Sequence, residues 1–146
     1  MENLENSTTS YNIQFSGDIS FVPPLRKFIS EVALAKGYSS RDSYRIETIV
    51  DEIVNNAIEH GDGLPPEISL ETQINRRRFA LTVRNRTAPD QSSRFKNVIE
   101  SSRRPLRIDA RRGQGLALVK LISDSLEVSF DGAGTKVTIT TSPEEG

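Results

Sequence analysis

Along one otherwise apolar segment, a polar side chain occurs at every fourth position: Glu52, Asn56 and His60. In an α-helix each such step rotates by only about 40°, so the three side chains would share one stripe. A carboxylate and an amide beside a core cost free energy unless they find partners, so the stripe predicts a ligand, a metal ion or a hydrogen-bond network. The same spacing also fits the border of a solvated helix face. The apolar face beside the stripe consists of Ile46, Ile49, Val50, Ile53 and Ala57.

A second chemical signal is a pair of glycines, Gly113 and Gly115, directly before an apolar segment that starts at Leu116. Backbone N–H groups at a helix N-terminus are suited to hold phosphate oxygens, and glycine permits close approach. Neither a G-x-x-x-x-G-K-[ST] loop nor a dinucleotide fingerprint is present. The information lies in the order of elements: the polar stripe, then strands, then the glycine pair, then Gly134-Thr135 before a last strand.

This order resembles the GHKL, or Bergerat-fold, ATPase superfamily, and within it the small bacterial anti-sigma factor serine/threonine-protein kinases. The resemblance covers about residues 11 to 141. It implies ATP and Mg²⁺ as cofactors, with Glu52 as the general base and Asn56 as the magnesium ligand. His60 would lie with them on the helix that forms the floor of the ATP site.

The resemblance also implies a set of nucleotide contacts outside the stripe. The backbone at Gly113, Gly115 and Leu116 would lie near the phosphates, and Arg112 would contact a phosphate. Thr135 stands where the family has a threonine near the adenine.

One motif departs from the family pattern. The family has an aspartate after a central strand that accepts a hydrogen bond from the adenine amino group, and a glycine two residues later. Here Asn85 replaces the aspartate and Thr87 replaces the glycine. The amide oxygen of Asn85 can still accept, but without the charge assistance that strengthens a bond to a carboxylate. Thr87 adds a branched side chain beside the base.

These features lead to a primary functional hypothesis and two alternatives. By resemblance, the chain is a serine/threonine kinase that acts on an anti-anti-sigma protein, binds a sigma factor and so regulates transcription, with a possible homodimer. The first alternative is a degenerate binding module that keeps its partner surface but has weak or no nucleotide binding and no kinase activity. The second is a detached catalytic domain of the histidine-kinase type, which would normally follow a dimerisation helix pair.

Hydrophobic periodicity predicts the elements that would position these residues. Strands are predicted over 11–15, 68–74, 79–83, 126–130 and 136–140. Helices are predicted from Pro23 to a stop at Gly37, from the residue after Ser39-Ser40 to Gly61, and over 116–123. The expected fold is an α+β two-layer sandwich, with one mixed, mostly antiparallel sheet and helices packed on one face.

Length and composition favour a single cytoplasmic domain. The 146 residues fit one domain, expected at 11–142 between a flexible tail at 1–10 and a short tail at 143–146. No apolar run reaches the roughly 18 residues that a membrane span requires, and the polar first residues are unlike a secretory signal. With no cysteine and one histidine, thiolate and multi-histidine metal sites are excluded, whereas oxygen-ligated magnesium is not.

Charge is unevenly distributed along the chain. Residues 91–112 hold seven arginines or lysines against two acids, which suits a loop that meets phosphate or an acidic partner, or a solvated loop. A second basic cluster, Arg76 to Arg78, lies at a predicted hairpin turn. Direct nucleic-acid binding is not expected, because the sequence pI is about 5.9 and few aromatic residues lie outside predicted core positions.

Overall fold

The computed structural model describes residues 7–59, 67–85, 111–131 and 134–144. Thr87 and all but the last two positions of the basic segment 91–112 lie outside these ranges.

A single five-stranded sheet organises the described chain. Its order is β1-β2-β3-β5-β4, and every neighbouring pair is antiparallel, so the pairing is more uniform than the mixed sheet expected from sequence. One face of the sheet is polar and open, while the other is covered by helices, as the period-two patterning predicts. The strands are β1 Thr9–Ser16, β2 Glu67–Asn75, β3 Arg78–Asn85, β4 Ser125–Asp131 and β5 Gly134–Thr141.

Three helices form the second layer, and their predicted starts and stops follow from identifiable residues. Prolines occupy the first turn of α1, and Gly37 stops it with a φ of 95°, a backbone conformation that favours glycine. The backbone N–H of Asp42 donates to Ser39 Oγ at 3.1 Å and so caps the start of α2. No helix in the described part of the chain is long and apolar enough to cross a membrane. The helices are α1 Val22–Ala35, α2 Ser40–Glu59 and α3 Arg111–Ile122.

The turn between β2 and β3 forms where it was predicted. The side-chain oxygen of Asn75 accepts the backbone N–H groups of Arg77 at 2.8 Å and Arg78 at 2.9 Å. The hydroxyl of Tyr38 donates to the carbonyl oxygen of Asn75 at 2.8 Å. The arginine-rich turn is therefore fixed through both the side chain and the backbone carbonyl of Asn75.

The core lies between the sheet and the helices, and α2 is its centre. Helix α2 contacts α1 and α3 and packs on β3. Full burial of each large aliphatic or aromatic side chain contributes about 1.5–3 kcal/mol, so this layer supplies most of the driving force for folding. The fully buried large side chains are Phe79, Ile29, Ile46, Ile49, Ile53, Ile68, Leu70, Ile74, Leu81, Leu116 and Ile139.

Helix α3 starts five residues earlier than the predicted start at Leu116. The structure places Arg111 in the first turn, so Gly113 and Gly115 lie inside the helix and not in a turn before it. Glycine in a helix interior costs roughly 0.5–1 kcal/mol relative to alanine, and for this reason the sequence favoured a later start. Gly115 is retained in the helix at a point of close contact with α2.

A buried ion pair joins α2 to α3 and to the end of the chain. Arg45 donates to Asp42 Oδ1 at 3.0 Å, to the carbonyl oxygen of Ile122 at 3.0 Å and to that of Ser142 at 2.6 Å. The backbone N–H of Glu144 also donates to Asp42 at 3.1 Å. Because Ile122 is the last residue of α3, this network fixes where that helix ends against α2.

We expect Arg45→Met to lower the free energy of unfolding by about 3–5 kcal/mol, because it leaves the buried Asp42 carboxylate without its charged partner. The matched control is Arg41→Met, which removes an exposed ion pair with Glu144 at 3.7 Å and should change stability by less than about 0.5 kcal/mol. Urea denaturation at pH 7 measures both. Equal denaturation midpoints for the two variants would contradict this stabilising role of Arg45.

Candidate functional site

The predicted site residues that the structure describes lie on four elements. Glu52 and Asn56 belong to the second half of α2, and Gly115 belongs to α3. Asn85 ends β3 and pairs with Thr135, the second residue of β5. Of the remaining predicted residues, His60 lies outside the described range, and the side chain of Arg112 is not described.

The Glu52 carboxylate lies against the backbone of Gly115. A Cβ atom added at Gly115 would overlap Glu52 Oε2 and lie 2.9 Å from Glu52 Cδ. Any larger residue at this position would therefore displace the carboxylate or the helix. The stripe on α2 and the glycine segment on α3, which are separated by some sixty residues in sequence, meet directly at this point.

The Glu52 carboxylate is half-buried and lies in an electrostatic environment that opposes its ionisation. Burial raises its pKa above the ordinary value, and the neighbouring charge of Asp51 raises it further. Asp51 is itself held by Arg26 of α1 at 2.8 Å, on the side of α2 away from α3. A carboxyl group with a raised pKa beside a backbone that can approach phosphate is suited to proton transfer.

Asn56 is buried one turn after Glu52, and its amide orientation is set by α2 itself. Its Nδ2 donates to the carbonyl oxygen of Glu52 at 2.6 Å. The amide oxygen is then the atom that can ligate a cation. No group of three or more His, Cys, Asp or Glu side chains suited to a metal occurs among the described residues.

The buried face of the sheet changes from apolar to polar where it meets the end of α2. Along β3 the buried residues are Phe79, Leu81 and Val83, followed by Asn85. Asn85 Nδ2 donates to the carbonyl oxygen of Ala57 at 2.7 Å. That carbonyl belongs to the last turn of α2, where helix carbonyls lack intrahelical partners, so Asn85 caps the C-terminal end of the helix.

This capping role was missed by the sequence analysis, which treated Asn85 only as a weakened acceptor for adenine. The bond to Ala57 requires a donor, and an ionised aspartate has none. A carboxylate there would also face the negative end of the helix dipole. The structure thus gives a physical reason for an amide at this position in this chain.

Leu116 is fully buried in the core, so only its backbone can face a nucleotide. Thr135 is also buried, on the strand beside Asn85.

Two surface cavities lie away from these residues. A groove of about 590 Å³ runs between the outer sides of α1 and α2, and a hollow of about 220 Å³ lies on the open face of the sheet. Neither is lined by a residue of the predicted site, and the first has basic and acidic side chains in similar number. Glu52 and Gly115, which the sequence singles out for chemistry, meet at the α2–α3 contact and not in the larger groove.

Comparison with known proteins identifies the family. The model of the histidine kinase-like ATPase domain family matches residues 15–141. The chain therefore belongs to the histidine kinase-like ATPase domain family, and the resemblance to GHKL ATPases is confirmed. No curated protein sequence matches it significantly.

Solved structures show the same fold at low sequence identity. A chain of the SiaB–SiaC complex from Pseudomonas aeruginosa superposes with a TM-score of 0.61 and 12% identity, covering 89% of each chain. The nucleotide-free catalytic domain of the histidine kinase ThkA superposes with a TM-score of 0.53 and 16% identity, covering 92% of this chain and 99% of that one. The α+β sandwich with helices on one face is thus the architecture of this family.

We expect the effect of Gly115→Ala on stability to depend on residue 52. In a free helix interior this change stabilises by about 0.5–1 kcal/mol. Overlap with the Glu52 carboxylate should cancel most of that gain, whereas in a Glu52→Ala background the gain should return. Urea denaturation of the four proteins gives the coupling free energy, expected at about 0.5 kcal/mol or more. Identical effects of Gly115→Ala in both backgrounds would show that the two residues do not touch.

Asn85→Asp, although it restores the aspartate of the family motif, should destabilise this protein by about 1–3 kcal/mol because the carbonyl of Ala57 loses its donor. Asn75→Asp is the matched control in the turn between β2 and β3. There the side-chain oxygen accepts from two backbone N–H groups, and an aspartate oxygen can accept them equally well. Thermal unfolding of both variants tests this difference. An unchanged melting temperature for Asn85→Asp would argue against the helix cap.

Proposed function

We propose that this protein is an ATP-binding anti-sigma regulator that transfers the γ-phosphoryl group of ATP to a serine or threonine of an anti-anti-sigma partner. The observation that carries the proposal is the contact between the Glu52 carboxylate and the Gly115 backbone, with Asn56 one turn further along α2. It supports a single site that combines a proton acceptor, a metal ligand and a phosphate-binding backbone. Membership of an ATPase domain family supports the choice of nucleotide.

The phosphate end of the nucleotide would lie between α2 and α3. By the family resemblance, the backbone of Gly113, Gly115 and Leu116 would lie near the phosphates, with Arg112 as an additional contact. Of these residues, Arg112 and Gly113 lie in the first turn of α3, where backbone N–H groups lack intrahelical partners and can bind phosphate oxygens. Mg²⁺, when bound, would neutralise phosphate charge, and Asn56 Oδ1 would hold it.

Glu52 would act as the general base of the transfer. It would accept the proton of the substrate hydroxyl as that oxygen attacks the γ-phosphorus and the bond to the leaving ADP oxygen breaks. Its raised pKa makes the ionised form a stronger proton acceptor than an ordinary glutamate. The position of Gly115 keeps the carboxylate beside the segment that would hold the phosphates.

The adenine end would lie where β3 and β5 meet the end of α2. Asn85 and Thr135 are cross-strand partners there, and His60 would follow on the same side of α2. Because Asn85 Nδ2 donates to Ala57, its amide oxygen would have to serve as the acceptor for the adenine amino group.

The partners are proposed from the family resemblance. The structural likeness to a chain of the SiaB–SiaC complex supports a fold that works together with a protein partner. An anti-anti-sigma protein as substrate, a sigma factor as the regulated partner, a homodimer and a cytoplasmic location complete the proposal.

A second candidate is a binding module of the same fold without phosphotransfer. The hydrogen bond from Asn85 to Ala57 favours it, since the side chain that would bind adenine also caps the C-terminal end of α2. Calorimetry with ATP and Mg²⁺ separates the two functions. Micromolar affinity supports the kinase, whereas no binding at about 1 mM nucleotide, some 4 kcal/mol of binding free energy, supports the module.

We expect Glu52→Gln to reduce phosphotransfer by roughly a hundredfold or more, because the amide cannot accept the substrate proton. ATP affinity should change little, since the amide keeps the size of the carboxylate. The readout is transfer of radiolabelled γ-phosphate to proteins that co-purify with the tagged chain, combined with calorimetry.

Glu47→Gln is the control, because this glutamate lies on the same helix but faces Arg26 of α1 at 3.9 Å. It should transfer phosphate like the natural chain. Full turnover by Glu52→Gln would reject Glu52 as the general base. Loss of turnover in both variants would show that the effect is not specific to Glu52.

A further inference from the structure

Two cations lie side by side on the open face of the sheet. Arg84 of β3 and Lys136 of β5 are direct cross-strand partners, a position in which Cβ atoms are about 4.5–5.5 Å apart. Successive residues of a strand point to opposite faces, and the sequence neighbours of these two, Asn85 and Thr135, are buried on the helix-covered face. Arg84 and Lys136 therefore share the other face. Like charges directly opposite in an antiparallel pair are destabilising.

The strand registers place the two cations in one row of residues that crosses the whole sheet. Arg84 lies opposite a serine of β2 on one side, and Lys136 lies opposite a serine of β4 on the other. Neither cation therefore has a counter-charge directly opposite it. From β1 to β4 the members of this row are Gln14, Ser69, Arg84, Lys136 and Ser129.

Ion pairs in the described part of the chain do not include these two cations. They lie between α1 and α2, within α2, or between α2 and Glu144. The acids of the adjacent row on the open face, Glu71 and Glu127, lie opposite Thr82 and Thr138. A like-charged pair without a counter-ion costs stability, and such local conflicts are expected at functional sites. The missing counter-charge is therefore best supplied by an anion from outside the chain.

The cation pair matches a phosphate group better than a carboxylate. A phosphate monoester carries a charge of about −1.5 to −2 at pH 7, which compensates both cations, whereas one carboxylate would leave one of them uncompensated. The planar guanidinium of Arg84 can donate two parallel hydrogen bonds to a pair of phosphate oxygens. The ammonium group of Lys136 can donate to a third oxygen.

The hollow of about 220 Å³ on the open face adjoins the cation pair. Arg84 forms part of its wall, together with two amides, two hydroxyls and one carboxylate. Sites for drug-sized ligands measure about 300–1,000 Å³, so this hollow suits a few polar atoms attached to a phosphate and not a whole nucleotide. The carboxylate of Glu71 keeps the phosphate itself out of the hollow and over the two cations. The residues that line the hollow are Asn12, Gln14, Ser69, Glu71, Thr82 and Arg84.

We propose that Arg84 and Lys136 form a binding site for a phosphate group in its dianionic form, supplied by inorganic phosphate or by a monoester such as phosphoserine. The bound anion removes the repulsion between the two cations, so binding stabilises the folded chain. The site lies on the face of the sheet opposite the helices, away from Glu52 and Gly115. It does not rest on the proposed function, and ATP binding and phosphotransfer can fail without affecting it.

The first experiment measures thermal unfolding in a low-salt buffer without phosphate, for the natural chain, Arg84→Gln, Lys136→Gln and the double variant. Each single change should leave the melting temperature unchanged or raise it by up to about 3 °C, because it removes a repulsion. The double variant should gain less than the sum of the two single changes, since the same repulsion is removed only once. A lower melting temperature in either single variant would show that its cation has a stabilising partner, and would overturn the proposal.

The second experiment adds sodium phosphate, with sodium chloride at the same ionic strength as the control for charge screening. Phosphate should raise the melting temperature of the natural chain more than chloride does. The apparent affinity for phosphate should fall at least about tenfold in Arg84→Gln and in Lys136→Gln, because each loses charge-assisted hydrogen bonds. Arg78→Gln is the matched control, since Arg78 is exposed on the same face of β3 but lies opposite Asn75. It should respond to phosphate like the natural chain.

Further arms of the second experiment identify the source of the phosphate. A phosphoserine peptide that acts at lower concentration than inorganic phosphate, while its unphosphorylated form has no effect, supports the site and assigns it to a monoester. Inorganic phosphate that acts at the lower concentration supports the site and assigns it to the free ion. Equal effects of phosphate and chloride, or of phosphate and the dicarboxylate succinate, overturn the proposal. An undiminished phosphate response in both single variants also overturns it.

Discussion

The contact between the Glu52 carboxylate and the backbone of Gly115 is the constraint on which the site depends. Helices α2 and α3 run antiparallel and touch again seven residues away on each helix, where Arg45 binds the carbonyl of Ile122. The two helices therefore meet at two points along their length. At one of them, the missing Cβ atom of Gly115 leaves room for the Glu52 carboxylate against the backbone of α3.

Several buried polar groups in this protein hold the fold together. Asp42 and Arg45 bind one another and three backbone groups, and Asn85 satisfies a carbonyl at the end of α2. By contrast, burial and the charge of Asp51 act on Glu52, and no hydrogen bond from a described residue offsets them. Carboxylates in such surroundings are typical of functional sites, since a structural role alone would favour a partner.

The faces and edges of the sheet differ in chemistry. Its helix-covered face is mostly apolar, and Asn85 and Thr135 place two buried polar side chains next to each other where β3 and β5 meet the end of α2. Its other face is polar and solvated. Its edges differ, because β1 is neutral and bordered by aromatic side chains whereas β4 is acidic.

The sequence by itself determined the fold class, each strand to within about two residues, the first helix and the start of the second, and the polar stripe of α2. All of these follow from local periodicity and from caps such as Pro23 and Gly37. Only the tertiary structure decided that α3 begins at Arg111, that Gly115 meets Glu52, and that Asn85 caps α2. These outcomes depend on contacts between residues far apart in the chain, and spacing along a sequence carries no information about which distant backbone atom a side chain will reach.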